Sequence, residues 1–194
     1  MFFGLISDKK FIPSEYASSI FDINYSKLYA SGYRFILTDL DNTLISYKEH
    51  EPNAALYEWI RLRKQEGFEI IIVSNNSHRQ RVKSFSEKLG IKYVNLAMKP
   101  LKRGFKKALR MATKKYNKHE VVAIGDQLLT DLFAANRMHF YSILVKAIDR
   151  KSEIFTTRFN RHLEKGILRR LKKNNYDLYQ KRLQQYEEEN DGRN

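Results

Sequence analysis

Two aspartates at the end of a short apolar segment are the most informative residues of this 194-residue chain. Asp39 and Asp41 close the apolar run Phe35-Ile36-Leu37, which reads as a buried strand, and Thr43 stands two residues further on. Burying ionised carboxylates is costly unless a cation or hydrogen-bond donors compensate them. The two aspartates therefore predict a bound divalent metal ion, a reaction on a charged substrate, or both.

Polar side chains also follow three later apolar segments of the chain. In order of sequence they are Ser74 with Asn75, Lys99, and Asp126 with Asp131. Because the carboxyl ends of parallel strands lie on one edge of a sheet, these side chains can meet the first two aspartates. Carboxylates would then hold a hard cation such as Mg²⁺. The cation and the lysine would neutralise phosphate oxygens, and one carboxylate would remain free to attack.

The four groups of residues follow one another in a characteristic order. They read Asp-x-Asp-x-Thr, then Ser, then Lys, then Gly-Asp-(x)4-Asp, where the glycine is Gly125. This order resembles the four motifs of the haloacid dehalogenase (HAD) phosphatases. The chain further resembles the YqeG-type branch of HAD subclass III at residues 13–16, 20–23 and 155–161, and that branch is similar to the phosphatidylglycerophosphate phosphatases. The resemblance extends over roughly nine-tenths of the chain.

The resemblance implies a catalytic or phosphate-binding role for five residues. Asp39 would be the nucleophile that forms an aspartyl-phosphate, and Asp41 would protonate the leaving alkoxide and then activate water. Ser74 and the backbone amide of Asn75 would bind phosphoryl oxygens, and Lys99 would counter the charge that develops on them. An aspartate at position 41 also favours phosphoryl transfer over dehalogenation, because only the phosphatase needs an acid for the leaving oxygen.

The same resemblance implies a magnesium site and two supporting residues. Mg²⁺ would be held by the Asp39 carboxylate, the Asp41 backbone carbonyl and Asp126. Asp131 would orient the lysine or a metal-bound water, and Thr43 would fix the loop that carries the first motif. No other cofactor is expected.

Alternating apolar and amphipathic segments must position these side chains. The candidate strands are short and apolar nearly throughout, which is typical of a parallel sheet covered on both faces. They lie at 34–39, 69–74, 93–97, 120–125 and 140–145. Candidate helices begin at Pro52 and Pro100 and cover 82–89 and 128–137. We therefore predict the α/β class, with a HAD-like Rossmannoid fold, a mainly parallel five-stranded sheet and helices on both faces.

The spacing of the motifs predicts that no cap domain covers the site. The interval from Thr43 to Ser74 has room for one helix and one strand, and the interval from Ser74 to Lys99 is shorter. Neither can hold a lid of ~50 residues or more. An open site suits a substrate that is large or attached to something large, such as a protein, a nucleic acid end or a membrane lipid.

The two ends of the chain differ from its centre. We predict an N-terminal helical lead-in at 1–33 whose helix starts near Pro13 and Ser14, a HAD-like phosphatase core at 34–150, a basic amphipathic helix at 151–175 and a polar tail at 176–194. The apolar stretch at 2–12 would pack on the domain or rest on a membrane, and the tail would be frayed or a projecting helix. Between residues 158 and 173 the basic helix carries seven Lys or Arg and one acid. It can lie on an anionic bilayer or dock on the sheet with a solvated basic face.

Composition restricts the class of protein and its partners. The formal net charge of +14 favours anionic partners such as nucleic acid, ribosomes, acidic lipid surfaces or phosphorylated metabolites. The absence of cysteine excludes disulfides and thiolate metal sites, and the five histidines lack the spacing of a metal site. No apolar run approaches the ~18–20 residues that span a bilayer. We expect a cytoplasmic protein that can associate peripherally with the inner face of the membrane.

The leading prediction is a Mg²⁺-dependent phosphomonoesterase that acts on phosphatidylglycerophosphate or a similar phosphorylated lipid headgroup. One alternative is a phosphatase of nucleotides or nucleic acid ends, in which Tyr176, Tyr179 and Tyr186 would stack on bases. The other alternative is a basic RNA- or ribosome-binding protein that retains a vestigial HAD site. The resemblance suggests the lipid substrate, whereas the charge only permits it, and nothing in the sequence predicts the oligomeric state.

Overall fold

A single parallel sheet organises the protein. The computed structural model describes residues 6–190, so residues 2–5 of the predicted apolar stretch and residues 191–194 of the predicted tail lie outside the described residues. Its six strands are β1 (Glu15–Ala17), β2 (Phe35–Thr38), β3 (Glu69–Val73), β4 (Lys92–Val94), β5 (Val121–Gly125) and β6 (Tyr141–Val145). They lie in the order β1-β6-β5-β2-β3-β4, and each neighbouring pair is parallel. The predicted α/β class with a parallel sheet is confirmed.

Eight α-helices lie within residues 6–190. They are α1 (Tyr25–Ala30), α2 (Ala54–Gln65), α3 (Arg79–Leu89), α4 (Arg103–Met111), α5 (Phe133–Met138), α6 (Phe155–Asn174), α7 (Tyr176–Arg182) and α8 (Gln184–Asn190). One π-helical turn, Leu128–Leu132, leads into α5. In this described part of the chain, no helix is long and apolar enough to cross a membrane. The same residues contain no separate cap domain.

The central strand β2 has helices on both faces. Ile36 packs in one apolar cluster with residues of α2 and α3. Phe35 and Leu37 pack in a second cluster with residues of α4 and α5. Alternate residues of a strand point to opposite faces, so burial on both faces explains why the strand is apolar nearly throughout.

The sheet has one strand more than the five predicted. The sequence predicts a helix near Pro13 and Ser14, but the following residues form β1 at the edge of the sheet. Glu15 lies opposite Ile143 of β6, and Ser14 N donates to the Ser142 carbonyl at 2.9 Å. A three-residue strand is too short to show a periodicity, so only its tertiary partner identifies it.

The region around β4 also departs from the prediction. Leu96 has a φ of 47°, a left-handed backbone conformation that is incompatible with a strand, so β4 ends at Val94 and does not extend through 93–97. Helix α4 begins at Arg103 and not at Pro100. The helix predicted at 128–137 is divided between the π-helical turn and α5.

Helix α6 docks on the domain. Its residues Ile167, Leu168 and Leu171 are buried in a third apolar cluster with Leu128 and Leu144. The sequence permits two arrangements, a helix that lies on an anionic bilayer and a helix that docks on the sheet, and the structure has the second. The apolar side of this part of the helix is therefore not available to a bilayer.

Residues 176–190 belong to the same core, so the prediction of a frayed or projecting tail was wrong for this part of the chain. Tyr179, Leu183 and Tyr186 are at most 3% exposed and join the third cluster. Their spacing of four and three residues is helical, but the charged residues between them hide it in the sequence. Two of the three tyrosines predicted to stack on nucleic acid bases are therefore buried.

Candidate active site

Hydrogen bonds at the carboxyl edge of the sheet place the predicted residues side by side. Asp39 N donates to the Ile124 carbonyl at 2.9 Å, which holds the end of β2 beside the end of β5. Ser74 N donates to the Val94 carbonyl at 2.9 Å, which does the same for β3 and β4. The loops that carry the predicted site residues therefore start from neighbouring strand ends.

Lys99 lies between two of the aspartates. Its Nζ is 2.7 Å from Asp39 Oδ1 and 2.6 Å from Asp131 Oδ1, and all three residues are at most 7% exposed. The side chain of Asn75 anchors the lysine backbone: its Oδ1 accepts from Lys99 N at 2.7 Å and its Nδ2 donates to the Lys99 carbonyl at 2.9 Å. The sequence predicts that Asn75 binds phosphate through its backbone amide. The structure shows that its side chain also holds the backbone of Lys99 in place.

Three aspartates come together beside this lysine. Asp39, Asp126 and Asp131 each offer one carboxylate oxygen, and these oxygens lie within 4.8 Å of one another. Thr43 Oγ1 donates to Asp126 Oδ1 at 3.1 Å, which ties the loop after β2 to the loop after β5. Such a group of buried carboxylates could hold a metal ion.

Gly125 permits the close approach of Asp131 to the end of β5. A Cβ atom at position 125 would lie 2.4 Å from both Cβ and Cγ of Asp131, which is closer than side chains pack. Gln127 N donates to Asp131 Oδ2 at 3.0 Å and fixes the carboxylate in that place. The glycine of the fourth motif therefore has a steric function in the site.

Burial alters the pKa values of Asp39, Asp126 and Lys99. It raises the pKa of Asp39 well above its usual value, with Lys99 opposing the shift and Asp131 adding to it. Burial also raises the pKa of Asp126 to about 6, although Arg161 opposes the shift. Burial disfavours the ammonium form of Lys99, but the carboxylates of Asp131 and Asp39 outweigh it and raise the pKa of the lysine. The lysine is therefore cationic.

Asp41 lines the same cleft, but other partners hold its carboxylate. Arg81 Nε donates to Asp41 Oδ1 at 2.9 Å, and Asn76 Nδ2 donates to Asp41 Oδ2 at 2.8 Å. The Arg81 guanidinium also donates to the carbonyls of Ser46 and Glu49. Asp41 is thus held by Arg81 of α3 and by Asn76, and it does not belong to the group of Asp39, Asp126 and Asp131.

Arg161 of α6 reaches the site, which the sequence did not predict. Its guanidinium contacts the Asp126 carboxylate and donates to the Asp126 carbonyl at 2.7 Å. It also lies 2.8 Å from Glu153 and 3.2 Å from Glu164, and it donates to the Tyr186 hydroxyl at 3.0 Å. The sequence placed this arginine in the basic part of the helix, whereas it is only 5% exposed.

Acidic side chains outnumber basic ones among the buried residues of the site. Two cationic side chains, Lys99 and Arg161, are buried together with five carboxyl groups. The five belong to Asp39, Asp126, Asp131, Glu153 and Glu164. Burying unbalanced carboxylates is costly, so a divalent cation among the aspartates would offset part of that cost.

A cleft of about 510 Å³ opens onto these groups. Its lining includes the predicted residues Asp39, Asp41, Ser74, Asn75 and Lys99. It also includes residues before and within the first turns of α6, namely Glu153, Ile154, Thr156, Thr157 and Asn160. The C-terminal helix therefore forms part of the wall of the cleft.

Three residues that hold the site were not identified from the sequence: Asn76, Arg81 and Arg161. Asn76 and Arg81 follow the second motif at positions where polar residues are ordinary, and no spacing connects them with Asp41. Arg161 ends the segment 155–161, whose resemblance to the YqeG-type branch was the one available signal. A buried arginine in a basic helix cannot be distinguished from its solvated neighbours without the fold.

Comparison with known protein families and sequences identifies relatives of the chain. The model of a family described as mitochondrial PGP phosphatase, where PGP is phosphatidylglycerophosphate, matches residues 2–148. The probable phosphatase YqeG of Bacillus subtilis (strain 168) is 43% identical over 165 residues, which are 85% of this chain and 94% of that protein. Phosphatidylglycerophosphate phosphatase 1, chloroplastic/mitochondrial, of Arabidopsis thaliana is 25% identical over 176 residues, which are 86% of this chain and 50% of that protein.

Comparison with solved structures finds proteins that match part of this chain. One is the HAD-type protein YfnB of Bacillus subtilis, bound to magnesium. It is 16% identical, with a TM-score of 0.37, and the alignment covers 58% of this chain and 86% of that chain.

The match to the family model ends at residue 148, before α6, so Arg161 and Glu164 lie beyond it.

Proposed function

Because the chain belongs to the PGP phosphatase family and is a HAD-type phosphatase of the YqeG type, we propose that it hydrolyses phosphomonoesters with Mg²⁺ through an aspartyl-phosphate. The observation that carries the proposal is the buried cluster at the end of β2, in which Lys99 lies between Asp39 and Asp131 and beside Asp126. A lysine and several carboxylates facing one cleft supply both the positive charge and the nucleophile that phosphoryl transfer needs.

The residues of the site fit a magnesium ion. Asp39, Asp126 and the backbone carbonyl of Asp41 would hold it, and Asp131 offers a further carboxylate oxygen nearby. Mg²⁺ prefers oxygen ligands, and the excess of buried carboxylates matches its charge. When bound, the ion would neutralise charge on the phosphoryl oxygens.

Asp39 is the proposed nucleophile. Its carboxylate oxygen would bond to phosphorus while the bond from phosphorus to the alkoxide oxygen breaks, which leaves an aspartyl-phosphate. Water would then attack the phosphorus, and inorganic phosphate and the free carboxylate would be released. Lys99, which contacts Asp39 Oδ1, would hold the carboxylate in place before the attack.

Asp41 is the proposed acid and base. It would give a proton to the leaving alkoxide in the first step and take one from water in the second. Arg81 and Asn76 hold its carboxylate at the cleft. These two contacts support a fixed position for the group that exchanges the proton.

The remaining site residues would bind the phosphoryl group and support the loops. Ser74 and the Asn75 amide would donate to phosphoryl oxygens, and Lys99 would balance their charge. Asp131 would orient the lysine, which it contacts at 2.6 Å. Thr43 would keep the first motif beside the metal site through its hydrogen bond to the fourth motif.

Phosphatidylglycerophosphate is the proposed substrate. The family description and the name of the Arabidopsis relative support it. The described chain has no cap domain, so the cleft is open to a headgroup whose acyl chains stay in a membrane. The net charge of +14 also suits an anionic lipid surface. The proposal therefore locates the protein in the cytoplasm, peripheral to the inner face of the membrane.

The experiment that tests this proposal compares substrates and one nucleophile variant. Purified protein with Mg²⁺ is assayed for phosphate release from phosphatidylglycerophosphate, sugar phosphates, nucleotides and phosphorylated oligonucleotides. We expect turnover of the lipid, with a loss of at least about 10³-fold in Asp39→Asn. Asp177→Asn, which changes an exposed aspartate of α7, is the matched control and should keep full activity.

Two results would contradict the proposal at different points. Equal phosphate release by the wild-type protein and Asp39→Asn would reject the nucleophile. Turnover of oligonucleotides but not of the lipid would reject the substrate and favour the nucleic acid alternative. The burial of Tyr179 and Tyr186 already removes two of the stacking residues that this alternative would use.

A further inference from the structure

Exposed apolar side chains surround the mouth of the cleft. Large apolar side chains that face solvent are costly when they are grouped, and such a group usually marks a surface that binds something. In the described part of the chain, thirteen large apolar or aromatic side chains are exposed. Three of them line the cleft, two lie on the first turns of α6, and Ile148 donates its backbone N–H to the carbonyl of Asn42, a residue of the cleft lining. We call these six the apolar rim: Leu96, Met98, Ile148, Ile154, Phe155 and Phe159.

The loop after β4 presents two of these side chains by an unusual backbone. Leu96 and Met98 have φ values of 47° and 56°, which are unfavourable for residues with a side chain. The residues that alternate with them, Ala97 and Lys99, are buried, whereas Leu96 and Met98 are 56% and 50% exposed. Placing the lysine in the site therefore turns its two neighbours outward. Polar residues would serve equally well for that geometry, so the apolar character of positions 96 and 98 needs another reason.

The start of α6 presents three more apolar side chains. Ile154 lines the cleft, Phe155 follows it and is 83% exposed, and Phe159 lies one helical turn further and is 56% exposed. Further along the same helix, Ile167 and Leu168 are buried against the domain. The helix therefore exposes large apolar groups at the end that borders the cleft, where nothing in the described chain covers them.

The charges beside the apolar rim are basic. Lys102 and Arg103 follow the loop that carries Leu96 and Met98, and residues 95–119 contain nine Lys or Arg and no acid. Arg158 lies between the two phenylalanines of α6. The acids on this side are engaged: Glu153 is buried against Arg161, and Asp149 pairs with Lys48 at 3.1 Å. Apolar groups flanked by basic groups complement an anionic phospholipid surface.

We propose that the apolar rim docks the mouth of the cleft on an anionic phospholipid bilayer, with Phe155 and Phe159 inserted among the lipids. The inference rests on the proposed function, since a lipid substrate must leave its acyl chains in the bilayer while its phosphate reaches Asp39. A bilayer fits better than a folded partner because the rim belongs to the cleft itself. A protein seated there would close the entrance through which the substrate passes.

The test measures binding to vesicles that contain no substrate. Full-length protein is sedimented with vesicles of phosphatidylcholine, with and without phosphatidylserine, which carries no phosphomonoester. We expect binding to the anionic vesicles, and a loss of about ten-fold in affinity for each of Phe155→Ser and Phe159→Ser. Tyr176→Ser is the matched control, because this aromatic residue is 54% exposed beyond the other end of α6, about 30 Å away. It should bind like the wild-type protein.

Activity separates the docking surface from the proposed reaction. Phe155 and Phe159 do not line the cleft, so hydrolysis of soluble glycerol phosphate should stay unchanged in both variants. Hydrolysis of phosphatidylglycerophosphate in vesicles should fall in parallel with vesicle binding. If the wild-type protein hydrolyses no phosphomonoester but the variants lose vesicle binding, the docking surface stands and the proposed function fails.

Other outcomes would overturn the docking surface. If the variants equal the wild-type protein in vesicle binding and in hydrolysis of the vesicle-borne lipid, the rim has no part in docking. No binding of the wild-type protein to anionic vesicles would have the same meaning. Loss of self-association or of RNA binding in the variants, with vesicle binding kept, would assign the rim to another partner.

Discussion

At the scale of single residues, the site depends on how closely charged groups are packed. Lys99 contacts two carboxylates, and three aspartates share a space of a few ångströms. Asp131 and Asp126 add to the raised pKa of Asp39, and Lys99 opposes it. A change as small as an added methyl group or a bound proton should therefore have measurable effects on stability, activity or metal affinity.

Replacing Gly125 by alanine should displace Asp131. The added Cβ would lie 2.4 Å from atoms of Asp131, so we expect a loss of about 1–3 kcal/mol in the free energy of unfolding and a clear fall in kcat. Denaturant unfolding and phosphate release measure the two effects. Gly166→Ala in α6 is the control, since nothing beyond the adjacent backbone of its own helix lies within 4 Å of its Cβ position. That change should leave activity intact and stabilise the protein by about 0.5–1 kcal/mol, and equal behaviour of the two variants would contradict the steric role of Gly125.

Magnesium binding should depend on pH through Asp126. Its pKa is raised to about 6 by burial, so the carboxylate carries a proton at lower pH and is free to bind the metal at higher pH. A proton that competes at this pKa should weaken the affinity for Mg²⁺ at least about ten-fold between pH 7.5 and pH 5, because the raised pKa of Asp39 acts in the same direction. Titration calorimetry at constant ionic strength measures the affinity. The exposed variant Glu58→Gln should show the same profile, and an affinity that stays constant over this range would refute the prediction.

At the scale of elements, α6 is a structural part of the active site. Its first turns line the cleft, and Arg161 joins the loop after β5 to Glu153 and Glu164. The helix is also held by apolar contacts of Ile167, Leu168 and Leu171. A helix that lies outside the matched family model thus contributes directly to the environment of the proposed metal ligand Asp126.

Replacing Arg161 by methionine should weaken both the fold and the site. The change leaves three buried carboxylates without their cation, which should lower the free energy of unfolding by about 3–5 kcal/mol. Mg²⁺ affinity should fall as well, because Asp126 loses the partner that orients it. Arg161→Lys should recover only part of each loss, since a lysine cannot make the paired contacts of a guanidinium. Arg169→Met, an exposed change on the same helix, should have neither effect, and equal stability of the two methionine variants would disprove the role of Arg161.

At the scale of the whole molecule, the two ends of the described chain complete one core. Phe11 near the N-terminus and Tyr186 near the C-terminus lie in the same apolar cluster. Tyr16 of β1 donates to Glu189 of α8 at 2.8 Å. The chain thus closes on itself around the edge of the sheet that carries β1 and β6, and α7 and α8 should unfold together with the rest.

A pair of leucines tests whether this C-terminal part is core. Leu183 is fully buried and Leu178 is 38% exposed. We expect Leu183→Ala to lower the free energy of unfolding by about 2–5 kcal/mol and Leu178→Ala to change it by about 0.5 kcal/mol or less. Denaturant unfolding followed by circular dichroism measures both. Equal, small effects would mean that residues 176–190 form an independent appendage.

The amino-acid sequence was sufficient to predict the class of fold and the polar residues at the strand ends. A strand that is covered on both faces needs a continuous run of apolar residues, so β2, β3, β5 and β6 could be located from such runs in the sequence. Parallel strands end on one edge, so the sequence predicts that Asp39, Ser74, Lys99, Asp126 and Asp131 meet there. Both predictions follow from backbone geometry: side chains alternate between the two faces of a sheet, and parallel strands end at the same edge.

The partners that complete the site and the structure of the chain ends depend on contacts that form only in the folded protein. Arg81 and Arg161 reach Asp41 and Asp126 from helices 35 and more residues away, and nothing in a linear sequence marks which basic side chain will be buried. The edge strand β1 and the helices α7 and α8 likewise depend on neighbours that are distant in sequence. Short segments rarely form on their own, because their stability comes from the surfaces they cover.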